Sequence, residues 1–205
     1  PPLHLQRSPP GVASGEAFIT PNVPALRRAV EQLVLEIRTL LALARRRGGE
    51  TALVGLSLGG LAAALAATSE EAPARVAVIA PPADLHAVAA ETRIGRRLLG
   101  LSGRAGVTPA LADLPAMLMP FRAHARRSRA GRVLVAVGIA DGIARTAAAT
   151  ELARAWGADF RVYPRGHITL LFLCAALRRD LRAFLGEPAT APLLQGCAPA
   201  VQRAG

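Results

Sequence analysis

The chain has 205 residues, of which 52% are apolar and only 3% aromatic; that is enough to bury one core, packed mainly by Ala, Leu and Val, and too apolar for a disordered chain. Its two cysteines, Cys174 and Cys197, form no CxxC pair, which excludes a disulfide scaffold and a cysteine-based zinc site. The net charge is +11 and all 25 basic residues are Arg, spread along the chain without interleaved aromatics; this argues against a nucleic-acid surface and leaves salt-sensitive attraction to anions as the expectation.

Residues 1–22 are rich in Pro, Ser and Gly and read as a loop. Asn22 is placed to cap a helix with Pro24 in its first turn. Leu26, Val30, Leu33, Val34, Ile37, Leu40, Leu41 and Ala44 then recur at helical spacing as far as Arg47, and Gly48-Gly49 ends the run. Thr51 to Leu56 is a short apolar strand of the kind covered on both faces. Gly59-Gly60 follows, then a helix over Leu61–Thr68. Arg75–Ala80 is a second strand, stopped by Pro81-Pro82. Residues 84–130 are helical in pattern but interrupted by Gly and Pro, which suits a cap inserted in the domain. Arg132–Gly138 is a third buried strand, Ala144–Trp156 a helix, Asp159–Tyr163 a fourth strand and Ile168–Leu185 a final helix. The domain is expected to span 1–186, with 187–205 a flexible tail.

Short apolar strands alternating with helices imply an α/β fold: a three-layer arrangement with a mostly parallel sheet and helices on both faces. No internal repeat is present. No stretch reaches the ~18 or more apolar residues of a membrane span, and no charged-then-apolar leader opens the chain. The expectation is a cytoplasmic protein.

Gly55-Leu56-Ser57-Leu58-Gly59 has the pattern G-x-S-x-G, directly after a predicted strand and before a predicted helix, the context that pattern requires. The two glycines are expected to let the backbone pass close to its neighbours, with the Ser57 hydroxyl at the carboxyl end of the sheet and at a helix N-terminus. A serine needs a base to act as a nucleophile. His167 follows the fourth strand in Arg165-Gly166-His167 and is placed at the same edge; His4, His86 and His124 are weaker candidates. The base needs an acid to orient it. Asp141 follows the third strand in Gly138-Ile139-Ala140-Asp141-Gly142, and Asp84 after the second strand competes with it. Ser57, Asp141 and His167 thus come in that order at the carboxyl ends of successive strands, where chemistry gathers in open parallel sheets.

In these motifs the chain resembles the C-terminal two-thirds of the alpha/beta-hydrolase superfamily. The resemblance runs to about residue 186 and rests on Gly-Leu-Ser-Leu-Gly-Gly at 55–60, Gly-Ile-Ala-Asp-Gly at 138–142 and Gly-His at 166–167. It implies that Ser57 is the nucleophile, Asp141 the acid, His167 the base and the Leu58 N–H an oxyanion-hole donor. It implies a helical cap over 84–130, whose Leu98, Leu99, Met117 and Phe121 would favour an apolar group or simply pack the cap, and it implies no cofactor and no metal. The expected reaction is hydrolysis of a carboxylic ester, thioester or amide of a small molecule.

The family's strands before the nucleophile strand have no counterpart in this sequence. The second oxyanion donor, from the loop after the family's third strand, is therefore expected to be missing. The first strand should be an open sheet edge, covered by a second copy or by a missing N-terminal segment. The rival reading is a catalytically impaired fragment or a non-catalytic binding protein of the same fold. Acyl transfer to an acceptor other than water is a further rival.

Overall fold

The computed structural model describes residues 2, 5–12, 22–85, 87, 88, 92 and 125–186. The first long helix is set by its ends. Asn22 Oδ1 accepts the Ala25 N–H at 3.0 Å, satisfying an amide that the first turn leaves without a partner, and a proline occupies the same turn. Helix α1 (Val23–Arg46) stops where Gly48 and Gly49 take left-handed φ values of 80° and 89°. Arg45 and Arg46 lie in its last turn, the favourable end of the helix dipole for a cation. Leu26, Val30, Leu33 and Leu41 form its buried stripe.

Four parallel strands follow: β1 (Ala52–Leu56), β2 (Arg75–Ile79), β3 (Arg132–Gly138) and β4 (Asp159–Tyr163). They lie side by side in sequence order, with Val54 opposite Ala77, Val78 opposite Val135 and Gly138 opposite Tyr163. Among the described residues the helices between and after them include α2 (Leu58–Ala66), α3 (Thr146–Trp156), α4 (His167–Leu173) and α5 (Ala175–Gly186).

Side chains alternate across each strand, and the two faces have different cover. Val76, Val78, Val133, Val135 and Val137 pack in one cluster with residues of α1, α2 and α3. On the other face Ile79 and Ala136 pack with Leu170 of α4 and Leu177 of α5, and Ala77 and Leu134 with Phe184 of α5. The two inner strands β2 and β3 are buried at every position, which is why they read as unbroken apolar runs. This is the three-layer α/β arrangement expected from the sequence.

Three expectations are corrected. β1 is not covered on both faces: Val54 and Leu56 are 38% and 48% exposed. They face the α4–α5 side, opposite Ala77 and Ile79, and those helices pack over β2, β3 and β4. The helix after the Ser57 turn begins at Leu58, so Gly59 and Gly60 lie in its first turn rather than before it. The single helix predicted over 168–185 is two helices. Cys174 takes an extended ψ of 98° between them, and its Sγ accepts the Leu177 N–H at 3.5 Å, the role a serine or asparagine usually plays at a helix start.

Most of the predicted cap 84–130 and all of the predicted tail 187–205 lie outside the described residues, as do His4, His86, His124 and Cys197. Among the described residues no helix is long and apolar enough to cross a membrane.

Candidate active site

β1 ends at Leu56 and α2 begins at Leu58, so Ser57 alone turns the chain from strand to helix. It does so at φ 52° and ψ −121°, a conformation that costs an L-residue about 1–3 kcal/mol. The turn is held from both sides: the Ser57 N–H donates to the Ile79 carbonyl at 2.8 Å, and the Ser57 carbonyl accepts the Leu61 N–H at 3.1 Å.

Two glycines make room for this turn. A Cβ on Gly55 would overlap the Gly59 carbonyl oxygen and stand 2.7 Å from the Ala63 Cβ. A Cβ on Gly60 would stand 3.2 Å from the Gly55 carbonyl oxygen and 3.3 Å from that of Ile79. A Cβ on Gly59 would meet nothing within 4 Å. The close approach expected of the second motif glycine therefore belongs to its neighbour, Gly60. As the first residue of α2, Leu58 has an N–H without an intrahelical acceptor.

His167 opens α4 just beyond the end of β4. Its Nε2 lies 2.9 Å from Ser57 Oγ, and its Nδ1 lies 2.7 Å from Asp141 Oδ2. A carboxylate only accepts hydrogen bonds, so Nδ1–H donates to Asp141 and Nε2 is left to accept from the Ser57 hydroxyl. The Gly166 N–H donates to Thr169 Oγ1 at 3.0 Å, which steadies the entry into α4.

Asp141 follows β3 in a tight turn, its N–H donating to the Gly138 carbonyl at 3.1 Å. Its Oδ1 accepts the N–H groups of Ile143 and Ala144, both at 2.8 Å, while Oδ2 serves His167. The side chain is fully buried. With both oxygens occupied, the carboxylate has one orientation.

The loops after β3 and β4 are laced together. Ile139 N–H donates to the Tyr163 carbonyl at 2.9 Å and Ala140 N–H to the Arg165 carbonyl at 3.1 Å. A Cβ on Gly138 would overlap that same Arg165 carbonyl oxygen. Gly138 thus lets the acid loop and the base loop close on each other, a role its sequence context alone did not reveal; the available signal was a glycine at the last position of a strand. Below the loops, Tyr163 is buried and its hydroxyl donates to Asp180 Oδ2 at 2.8 Å. Burial, with the Asp180 bond second, pushes its phenol above the ordinary range.

Ser57, Asp141 and His167 are therefore brought together, and Asp84 is not among them: its Oδ1 accepts the Ala87 N–H at 3.1 Å in the segment after β2. Among the described residues no group of three or more His, Cys, Asp or Glu side chains is placed to hold a metal ion.

The family model described as alpha/beta hydrolase domain containing 18 matches residues 21–91, the span that holds α1, the Ser57 turn and β2. Among solved structures, an acetyl xylan esterase from Paenibacillus sp. R4 superposes with a TM-score of 0.59 at 18% identity, covering 76% of this chain and 53% of the esterase. The chain has the alpha/beta-hydrolase fold. The same fold relates it to an esterase from Pyrococcus furiosus (TM-score 0.52, 13% identity, 77% of this chain and 61% of that one). It also relates it to an acylaminoacyl peptidase from Pyrococcus horikoshii (TM-score 0.52, 13% identity, 76% of this chain and 26% of that one). This chain spans less than two thirds of the length of each of these proteins. No curated protein matches the sequence. An alpha/beta-hydrolase fold hosts many chemistries, and function resides in the site it carries.

Proposed function

We propose that this chain is a serine hydrolase that cleaves a carboxylic ester, thioester or amide of a small molecule through an acyl-enzyme. The observation that supports this most is the continuous path Asp141–His167–Ser57, with contacts of 2.7 Å and 2.9 Å, at the carboxyl edge of a parallel sheet. Ser57 Oγ attacks the carbonyl carbon while its proton passes to His167 Nε2. Asp141 holds the imidazole in the tautomer that leaves Nε2 free and stabilises the imidazolium that forms.

The carbonyl oxygen becomes an oxyanion, which the Leu58 N–H and the positive end of α2 stabilise. His167 then gives the proton to the departing oxygen, sulfur or nitrogen, and the acyl group stays on Ser57. Water repeats the sequence: His167 takes a proton from it, the hydroxide attacks the acyl carbon, and the carboxylic acid leaves as Ser57 recovers its proton. No cofactor enters these steps. The esterase and peptidase names of the fold's other members support a hydrolytic reading in general.

The test is to mix the protein with a p-nitrophenyl ester, quench in acid and map the adduct by mass spectrometry. The expected result is an acyl group on the peptide that contains Ser57, absent in Ser57→Ala. Ester cleavage that continues unchanged in Ser57→Ala, with no adduct in the wild type, would overturn the proposal.

A further inference from the structure

The edge that carries Ser57 and His167 also carries a bare apolar surface. Ile168, Phe172 and Leu173 of α4 are 60%, 67% and 67% exposed, and Ile139 in the loop after β3 is 70% exposed. Ile168 and Phe172 are one helical turn apart and share a face, with Leu173 beside them. Only His167 and Leu170 of this seven-residue helix are buried. Ile139 lies alongside, because the bonds from Ile139 to Tyr163 and from Ala140 to Arg165 tie its loop to the approach to α4. Single exposed apolar residues are ordinary; four grouped at one edge mark an interaction surface.

The exposed charges beside this surface are mainly basic: Arg165 and Arg178 are exposed, and Arg179, also exposed, pairs with Asp180 at 3.4 Å. Arg178 Nη1 donates to the Phe172 carbonyl at 3.1 Å, which sets its guanidinium against the patch. The carboxylates of neighbouring segments are engaged: Asp141 is buried against His167, and Asp180 accepts from the Tyr163 hydroxyl. An anionic bilayer satisfies the arginines and the apolar side chains together, taking Ile, Phe and Leu into the acyl boundary and Arg against lipid phosphate.

We propose that this face, Ile139 with Ile168, Phe172 and Leu173, docks on an anionic lipid surface and so brings the Ser57–His167 edge to the bilayer boundary. The docking stands on exposure and charge alone; what it delivers to Ser57 rests on the serine-hydrolase reading.

The experiment is co-sedimentation of the full chain with vesicles of phosphatidylcholine alone and of phosphatidylcholine mixed equally with phosphatidylglycerol. The wild type should bind the anionic vesicles, lose binding as salt rises, and bind neutral vesicles much more weakly. Phe172→Ser with Leu173→Ser should weaken vesicle binding by about tenfold or more, since each removes a large apolar contact. Its melting temperature and its labelling by a fluorophosphonate in buffer should be unchanged. Arg165→Gln with Arg178→Gln should weaken binding to anionic vesicles only.

Wild-type and double-variant binding that are equal, or no preference for anionic vesicles, would overturn the proposal. So would a wild-type dimer in solution that Phe172→Ser/Leu173→Ser returns to monomer, because a second copy would then be the occupant. Ser57→Ala should bind vesicles like the wild type, and a failure of the hydrolase reading would show as a wild-type chain that docks but takes no fluorophosphonate label.

Discussion

Replacing Gly138 with alanine tests whether loop packing sets the geometry at Ser57. The new methyl group would overlap the Arg165 carbonyl oxygen and come within 3.0 Å of the Arg165 carbonyl carbon, where ordinary contact begins at 3.4 Å. Both are backbone atoms, so no side chain can swing aside. The loop after β4 must retreat by about 1 Å, and in a catalytic site a displacement of that size costs on the order of 10² in rate.

The displaced segment leads directly to His167, whose contacts to Asp141 and Ser57 are 2.7 Å and 2.9 Å. A retreat of this size stretches at least one of them past hydrogen-bonding range. The overpacking itself costs about 1–3 kcal/mol, or roughly 3–9 °C of melting temperature for a domain of this size. Initial rates on a p-nitrophenyl ester, set beside thermal melts of the same samples, read both effects. Gly138→Ala should lower kcat far more than it raises KM. Wild-type kcat at an unshifted melting temperature would refute the reasoning.

Asp141→Asn keeps the size of the side chain but removes the charge that fixes the His167 tautomer, and ester hydrolysis should fall by about 10⁴ in kcat; a loss under tenfold would show that Asp141 does not orient His167. Ser57→Gly should abolish hydrolysis yet raise the melting temperature by roughly 3 °C, because glycine adopts φ 52° without the ~1 kcal/mol or more that serine pays there; calorimetry showing a lower melting temperature would contradict the strain. Two surface ion pairs set an acid limb. Arg7 beside Glu36, and Arg38 beside Glu71, hold these carboxyls well below their ordinary 4.5, at about 2. A carboxyl lowered by folding stabilises the native state above its unfolded value and loses that contribution as protons bind. Denaturant midpoints should therefore decline between about pH 4.5 and pH 2. Glu36→Gln/Glu71→Gln should show a shallower decline, and an equal slope in that variant would discount the pairs. Both pairs are open to solvent, so the change should be small.

Much of this architecture was legible before any coordinates. β2 and β3 declared themselves because strands buried within a parallel sheet are short apolar runs, and α1 because Asn22, Pro24 and Gly48-Gly49 mark its two ends. Ser57, Asp141 and His167 stood out because each follows a strand, and strands that run parallel end at one edge.

What was not legible depends on contacts distant in sequence. Val54 and Leu56 look like core residues, and only the limited reach of α4 and α5 across the sheet leaves them exposed. The break at Cys174 carries no Gly or Pro; it rests on a sulfur–amide contact inside a buried turn. Gly59 and Gly60 are indistinguishable as letters, yet only Gly60 is pressed by the carbonyls of Gly55 and Ile79. Gly138 owes its role to Arg165, which belongs to another loop. The apolar face of α4 is hidden in the pattern too, since Ile168, Phe172 and Leu173 resemble the buried residues of any helix.

The central claim is that Ser57 is a nucleophile activated by His167. It is tested most directly by labelling the folded chain with a fluorescent fluorophosphonate, beside Ser57→Ala and His167→Ala. The account predicts rapid labelling of the wild type, none of Ser57→Ala, and a rate lowered by several orders of magnitude in His167→Ala. Labelling that persists in Ser57→Ala, or none in a wild-type chain that melts cooperatively, would contradict it.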